Sequence, residues 1–112
     1  MNWKPLTSIE QLETIINTES QHEAILLFKH STTCSISNTA LNRVERNWKD
    51  SDNAMLTPYY LDLLNHRDVS NAIAALTGVE HQSPQALIIK NGVCTYSATH
   101  SAIRYDELMD NK

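Results

Sequence analysis

A predicted strand, a cysteine and a predicted helix follow one another directly, and this junction is the feature that most constrains the fold. The apolar run 25–28 shows no alternation with polar residues, which indicates a strand buried on both faces. Cys34 lies in the polar segment that follows it. The next apolar residues recur at the spacing of one helix face, and they are Ile36, Ala40, Leu41, Val44 and Trp48. The chain therefore predicts a strand–turn–helix unit with a cysteine in its turn.

Cys34 stands where the predicted helix begins. A helix N-terminus carries unpaired N–H groups and a partial positive charge, and both favour the thiolate, which is the reactive form of a cysteine. Ser37 follows at the spacing of a Cys-x-x-Cys motif, in place of the second thiol, and its hydroxyl can donate a hydrogen bond to the thiolate. We also assign a thiolate-stabilising role to Thr33. The pattern indicates a thiol–disulfide exchanger with one reactive cysteine.

The two cysteines of the chain receive different interpretations. Cys34 could be a buried structural cysteine, but its small polar neighbours fit an exposed turn better than a core. Cys94 lies in a predicted strand and is interpreted as a packing residue. A disulfide between the two is conceivable, although a chain without a secretory signal is expected where thiols stay reduced.

Length and charge restrict the possible functions. A chain of 112 residues fits one domain, residues 1–112, and its net charge of -4 with dispersed basic residues argues against nucleic-acid binding. No window has the length of a membrane span, and residues 1–5 lack the apolar core of a signal peptide. We therefore expect a soluble cytoplasmic protein with no membrane partner. The five histidines are scattered and predict no metal site.

The remaining elements follow from periodicity and turn residues. Ser8 and Gln11 form a plausible capping box that opens a first helix, and Gly78 is expected to end a third helix over about 68–76. Pro58 cannot donate to a strand ladder and predicts an edge position for the strand at 55–61. Asn91-Gly92 between two β-prone runs predicts a hairpin. A last helix is expected over about 101–109.

The order α-β-α-β-α-β-β-α predicts an α/β fold with a mixed four-stranded sheet and helices on both faces. That order, with a cysteine after the first strand, matches the thioredoxin-like fold. Pro84 lies just before the strand at 86–90, where thioredoxin-like proteins carry a cis-proline that faces the reactive cysteine. We therefore predict that the Ser83–Pro84 bond is cis and that both residues contact the protein whose disulfide is exchanged, which we call the client.

The chain resembles the YtxJ-like family of monothiol bacilliredoxins. The resemblance covers nearly the whole chain and is carried by residues 30–37, 40–43, 60–63, 67–74 and 81–85. Family members usually have a proline directly after the cysteine, and this chain has Ser35. Proline suits the first helical position but is not required there. The substitution affects the expected redox potential and rate more than the chemistry.

The resemblance implies reduction of mixed disulfides between bacillithiol and client proteins. Cys34 would attack the bacillithiol sulfur, and a second bacillithiol would release the adduct, so that no internal thiol is needed. Bacillithiol is thus the expected co-substrate, with no tightly bound cofactor. Lys29 and His30 are candidates for binding the carboxylates of its malyl group, or form a solvated strand end. Arg43 and Arg46 are interpreted as the solvated face of the second helix.

Three other functions stay open on the sequence alone. Arsenate reduction requires an arginine four residues after the cysteine, where this chain has Asn38. An iron–sulfur carrier related to monothiol glutaredoxins would have Gly-Phe after the cysteine, where this chain has Ser35-Ile36. A non-catalytic thioredoxin-fold adaptor would retain Cys34 without using it.

Overall fold

The computed structural model describes residues 1–112 and contains four α-helices and five strands. The helices are α1 (Ile9–Asn17), α2 (Ser35–Glu45), α3 (Arg67–Thr77) and α4 (Tyr105–Asp110). The strands are β1 (Lys4–Pro5), β2 (Ile25–His30), β3 (Thr57–Asp62), β4 (Gln85–Lys90) and β5 (Val93–Thr99). None of the helices is long and apolar enough to cross a bilayer.

The strands form one mixed sheet in the order β1-β3-β2-β4-β5. Strands β1, β3 and β2 run parallel, and β4 and β5 run antiparallel to their neighbours. The predicted thioredoxin-like architecture is therefore confirmed, with five strands in place of four. The extra strand is β1, whose two residues pair with Tyr59 and Tyr60.

Pro58 does not place β3 at the edge of the sheet, so that prediction is wrong. Strand β3 lies between β1 and β2, and Pro58 is paired in register with Leu26. The backbone of Tyr60 faces β1, because its carbonyl accepts from the Leu6 N–H at 2.9 Å. Pro58, two residues earlier, faces the same side, before β1 begins. Its missing N–H therefore removes no ladder hydrogen bond.

Two apolar cores cover the two faces of the sheet. One core, formed with α1 and α3, contains Leu12, Ile15, Leu27, Val69 and Ile73. The other core, formed with α2 and α4, contains Phe28, Ala40, Val44, Ile88 and Leu108. Because β2 lies inside the sheet under both layers, all six of its residues are buried. The end of this strand positions the site described below.

Several predicted boundaries are confirmed by local hydrogen bonds and dihedral angles. Ser8 caps α1, since its Oγ accepts from the Gln11 N–H at 3.1 Å. Gly78 ends α3 in the left-handed conformation, with φ +74°. Asn91 and Gly92 both have positive φ, as a tight hairpin turn requires. Helix α4 is shorter than predicted, because residues 100–102 form a separate 3-10 turn.

Candidate functional site

Cys34 lies at the N-terminus of α2, as predicted. It is the N-cap residue, and its carbonyl accepts the first helical hydrogen bond, from the Asn38 N–H at 3.0 Å. The Cys34 N–H donates to the Ser31 carbonyl at 3.2 Å, which closes the turn between β2 and α2. The residue is partly exposed, and its thiol is free. Cys34 is therefore not sealed in the core, and Thr33 lies exposed beside it.

Ser37 is fully buried in the first turn of α2. Its Oγ lies 2.7 Å from His30 Nδ1 and accepts from the Ser31 N–H at 3.0 Å. Burial lowers the pKa of His30, although Asp62, Glu45 and Asn38 act in the opposite direction. The Ser37 hydroxyl therefore contacts His30 and the Ser31 N–H, and it makes no hydrogen bond with the Cys34 sulfur. Donation from Ser37 to a thiolate stays a prediction and would require the hydroxyl to turn from His30.

Lys29 is enclosed on the other face of the sheet. Its relative exposure is 0%, and its Nζ donates to the Ser70 carbonyl and approaches His81 Nδ1, each at 3.2 Å. Burial lowers the pKa of Lys29 to about 8. Partial burial and the charges of Lys29 and Arg67 lower the pKa of His81. A neutral His81 ring accepts from the ammonium at Nδ1, which leaves its proton on Nε2.

These positions correct the interpretation of Lys29 and His30 as substrate-binding residues or as a solvated strand end. His30 has 2% relative exposure, and Lys29 has none. Alternation along β2 directs Lys29 to α3 and His30 to α2, and helices cover both faces there. Carboxylates of a ligand in solution cannot reach either side chain. Both residues instead support the elements that surround Cys34.

The Ser83–Pro84 bond is cis, which confirms the prediction. The buried Gln85 side chain supports the segment before it, because its Oε1 accepts from the Gln82 N–H at 3.4 Å and its Nε2 donates to the Glu80 carbonyl at 3.0 Å. Client contact by Ser83 and Pro84 stays a prediction. The supporting role of Gln85 was missed, because its sequence position at the start of a strand carries no signal for it.

Two further residues near the site have contacts that the sequence analysis did not predict. The His100 N–H donates to the Pro84 carbonyl at 3.2 Å, and this joins the end of β5 to the cis-proline segment. Arg43 is half-buried, and its guanidinium donates to the carbonyls of His100 and Ile103 at 3.0 and 2.9 Å. Its assignment to a solvated helix face is therefore wrong. Only the tertiary contact between α2 and residues 100–103 reveals this role.

Cys94 lies far from the site. It opposes Ile89 in the β4–β5 ladder, four residues from Gln85, which corresponds to about 13 Å along the strand. Its Sγ donates to the Tyr96 carbonyl at 3.3 Å, and burial raises the pKa of its thiol. Burial outweighs the opposite effect of the backbone hydrogen bonds at Tyr96 and Ile88, so the thiol form is favoured and Cys94 has the properties of a packing residue. The structure holds no cluster of three or more His, Cys, Asp or Glu side chains suited to a metal ion.

A family model described as monothiol bacilliredoxin BrxC matches residues 4–108. Among solved structures, a candidate oxidoreductase with a thioredoxin fold superposes with a TM-score of 0.81 at 33% identity, covering 96% of this chain and 90% of that chain. Thioredoxins are also similar in structure. That of Malassezia sympodialis has a TM-score of 0.74 at 12% identity, covering 97% of this chain and 86% of that chain. At such identity the likeness shows the fold alone.

The thioredoxin of Trypanosoma brucei brucei gives the same result. Its TM-score is 0.74 at 14% identity, and the match covers 98% of this chain and 87% of that chain. The two thioredoxin structures therefore support only the fold, and the family model supports a more specific assignment.

Proposed function

The chain belongs to the monothiol bacilliredoxin family of thiol oxidoreductases, and on this premise we propose that it releases bacillithiol from mixed disulfides with client proteins. The observation that carries the proposal is the isolation of Cys34. Cys34 is partly exposed at the start of α2, Ser37 stands in place of a second thiol, and Cys94 lies on β5 opposite Ile89, beside the end of β4 that is farther from Pro84. A reaction at Cys34 must therefore take its resolving thiol from solution.

The proposed cycle has two exchange steps. The Cys34 thiolate attacks the bacillithiol sulfur of the mixed disulfide. The client sulfur leaves with the electron pair of the broken S–S bond and takes up a proton from water, while bacillithiol stays bound to Cys34. The thiolate of a second bacillithiol attacks the adduct at its bacillithiol sulfur. Bacillithiol disulfide is released, and the Cys34 thiolate is restored.

The fold supports each requirement of this cycle. The N-terminus of α2 supplies N–H groups and a partial positive charge near the sulfur. Residues 80–84, supported by Gln85, supply an ordered backbone against which an extended client segment can pair, with Ser83 and Pro84 as the proposed contacts. The proposal places the reaction in the cytoplasm, because its resolving step uses a reduced small thiol.

Replacement of each cysteine separately tests the proposal. We expect Cys34→Ala to abolish release of bacillithiol from a bacillithiolated client, and Cys94→Ala to retain most of the wild-type rate. Circular dichroism of both variants controls for folding. Equal loss in the two folded variants would contradict a monothiol route. A folded wild-type protein that releases no bacillithiol would favour an adaptor, or an iron–sulfur carrier if protein purified without oxygen absorbs visible light.

A further inference from the structure

Three of the four arginines of the chain line one surface groove, although the net charge of the chain is -4. The groove has a volume of about 360 Å³. It lies between the second half of α2 and the start of α4, and its charged walls are Arg43, Arg46, Arg104 and Asp106. Three cations face one carboxylate, so the groove is locally positive and suited to an anion.

A second, smaller cavity continues the groove toward Cys34. Its volume is about 190 Å³, and it shares Arg43 and Ser101 with the larger one. Ile36 also lines it, two residues after Cys34, and this side chain is 57% exposed. Arg43 lies nine residues after Cys34, which is about 14 Å along a helix axis, and helical side chains lean toward the N-terminus. The two cavities therefore lead from the start of α2 to the arginines.

The wall of the second cavity is held in a fixed conformation by His100. His100 has φ +54°, a left-handed conformation that side chains rarely adopt outside constrained sites. Its N–H donates to Pro84, and its carbonyl accepts from the Arg43 guanidinium at 3.0 Å. These bonds connect the second cavity to the cis-proline segment on one side and to α2 on the other. The second cavity thus lies between the segment proposed to contact clients and the arginine groove.

The two outer arginines are free to exchange partners. Arg104 contacts Asp106 at 3.3 Å, but the side chains are 60% and 63% exposed, and such surface pairs contribute little stability. Arg46 is exposed. A guanidinium binds a carboxylate through two parallel N–H···O bonds, which a single ammonium cannot form. A ligand with two carboxylates could engage both arginines in place of water and Asp106.

We propose that this groove binds the carboxylates of the small thiol that resolves the Cys34 adduct. The inference rests on the proposed function and adds a binding site for its co-substrate class, small thiols that carry carboxylates. It replaces Lys29 and His30, whose burial excludes them from that role. Arg46 and Arg104 contact the carboxylates, and Arg43 holds the wall between the two cavities.

A pair of disulfide reagents tests the groove without bacillithiol. In a Cys94→Ala background, the reaction of Cys34 with the disulfide-linked dimer of the peptide acetyl-Cys-Gly-Gly-Gly-Asp, whose two terminal carboxylates extend about 14 Å from the reacting cysteine, is compared with its reaction with the neutral counterpart that ends in asparagine amide. We expect Arg46→Gln with Arg104→Gln to slow the first reaction about fivefold to tenfold and leave the second unchanged. Arg67→Gln, which alters the one arginine outside the groove, is the matched control and should change neither rate. Equal effects on both reagents, or an equal effect of Arg67→Gln, would overturn the proposal.

Steady-state kinetics with bacillithiol identify the occupant. In the double variant, KM for bacillithiol should rise about fivefold to tenfold, and kcat should stay at the wild-type value. A KM that rises only for the client protein would overturn the proposal, because acidic client residues would then occupy the groove. If the wild-type protein does not turn over bacillithiol, the proposed function fails, and the reagent pair alone decides whether the groove selects anionic thiol compounds.

Discussion

Ser37 illustrates how one hydroxyl can serve both the fold and the reaction. Its Oγ joins the first turn of α2 to the end of β2 through His30 and the Ser31 N–H. A buried hydroxyl between two partners fixes the approach of helix to strand, and therefore the position of Cys34. Stabilisation of a thiolate would require the same hydroxyl to leave His30. The two roles can be separated by measuring stability and thiol reactivity in the same variant.

We expect Ser37→Ala to lower the free energy of unfolding by about 1–3 kcal/mol, because it leaves the Ser31 N–H and His30 Nδ1 without their partner. Ser35→Ala is the matched control, because Ser35 lies two residues before Ser37 in the same helical turn and is exposed. It should change the free energy of unfolding by less than about 0.5 kcal/mol. Urea unfolding measures both values. Equal stability of the two variants would show that the buried hydroxyl contributes nothing to the fold.

Lys29 gives the protein a pH-dependent stability of known sign. Its pKa is lowered from 10.5 to about 8 in the folded state by burial. Between these values the unfolded chain binds more protons at this group, so its contribution to stability rises with pH. The cost of holding the buried ammonium is fully present below about pH 8 and disappears toward about pH 10.5. Tyr59, whose pKa is raised by burial and by Glu19, acts oppositely above about pH 10.

Comparing the wild-type protein with Lys29→Met isolates the contribution of Lys29 to the pH dependence of stability, because the tyrosines contribute equally in both proteins. From about pH 8 to about pH 10 the wild-type protein should gain up to about 3 kcal/mol relative to the variant. Urea unfolding across this range measures the difference. A difference that does not change with pH would mean that Lys29 has the same pKa in the folded and unfolded states, so that burial does not lower it.

At the scale of elements, the end of α3 offers a test of backbone conformation. Gly78 has φ +74°, and a Cβ added there would meet nothing within 4 Å. The cost of Gly78→Ala is therefore conformational alone, and we expect about 1–2 kcal/mol. Gly78→Asn should cost clearly less, because asparagine tolerates the left-handed region. Thermal unfolding of the two variants compares them, and equal destabilisation would contradict a left-handed helix end.

Elements with local signals could be predicted from the sequence. The cap of α1, the end of α3 and the Asn91-Gly92 turn depend on residues within a few positions, and the structure confirms them. Strand β1 could not be predicted in this way. Lys4 and Pro5 have no β-pattern and form a strand only by pairing with β3. The position of Pro58 inside the sheet has the same cause, since it depends on where β1 begins.

The candidate site was predicted in part for a related reason. Cys34 at a helix start and the cis bond before Pro84 follow from the order of elements, which the sequence carries. The burial of Lys29 depends on Ser70 and His81, which lie 41 and 52 positions away. Contacts at such separation leave no pattern in the strand itself. A lysine and a histidine after an apolar run therefore resembled a solvated strand end.

At the scale of the molecule, the sheet separates two polar clusters. His30 and Ser37 lie on the α2 side, and Lys29 with His81 lies on the α3 side. Thioredoxins at 12–14% identity share this architecture. The fold by itself therefore does not decide between one-thiol and two-thiol chemistry. That choice depends on Ser37 and on the distance of Cys94 from the site.

Mass spectrometry of the reaction intermediate tests this choice most directly. The protein is mixed with a bacillithiolated client in the absence of free bacillithiol, quenched with acid and digested without reduction. We predict a bacillithiol adduct on the peptide that contains Cys34, an unmodified Cys94 and a reduced client. A disulfide between Cys34 and Cys94, or an adduct on Cys94, would contradict the monothiol account.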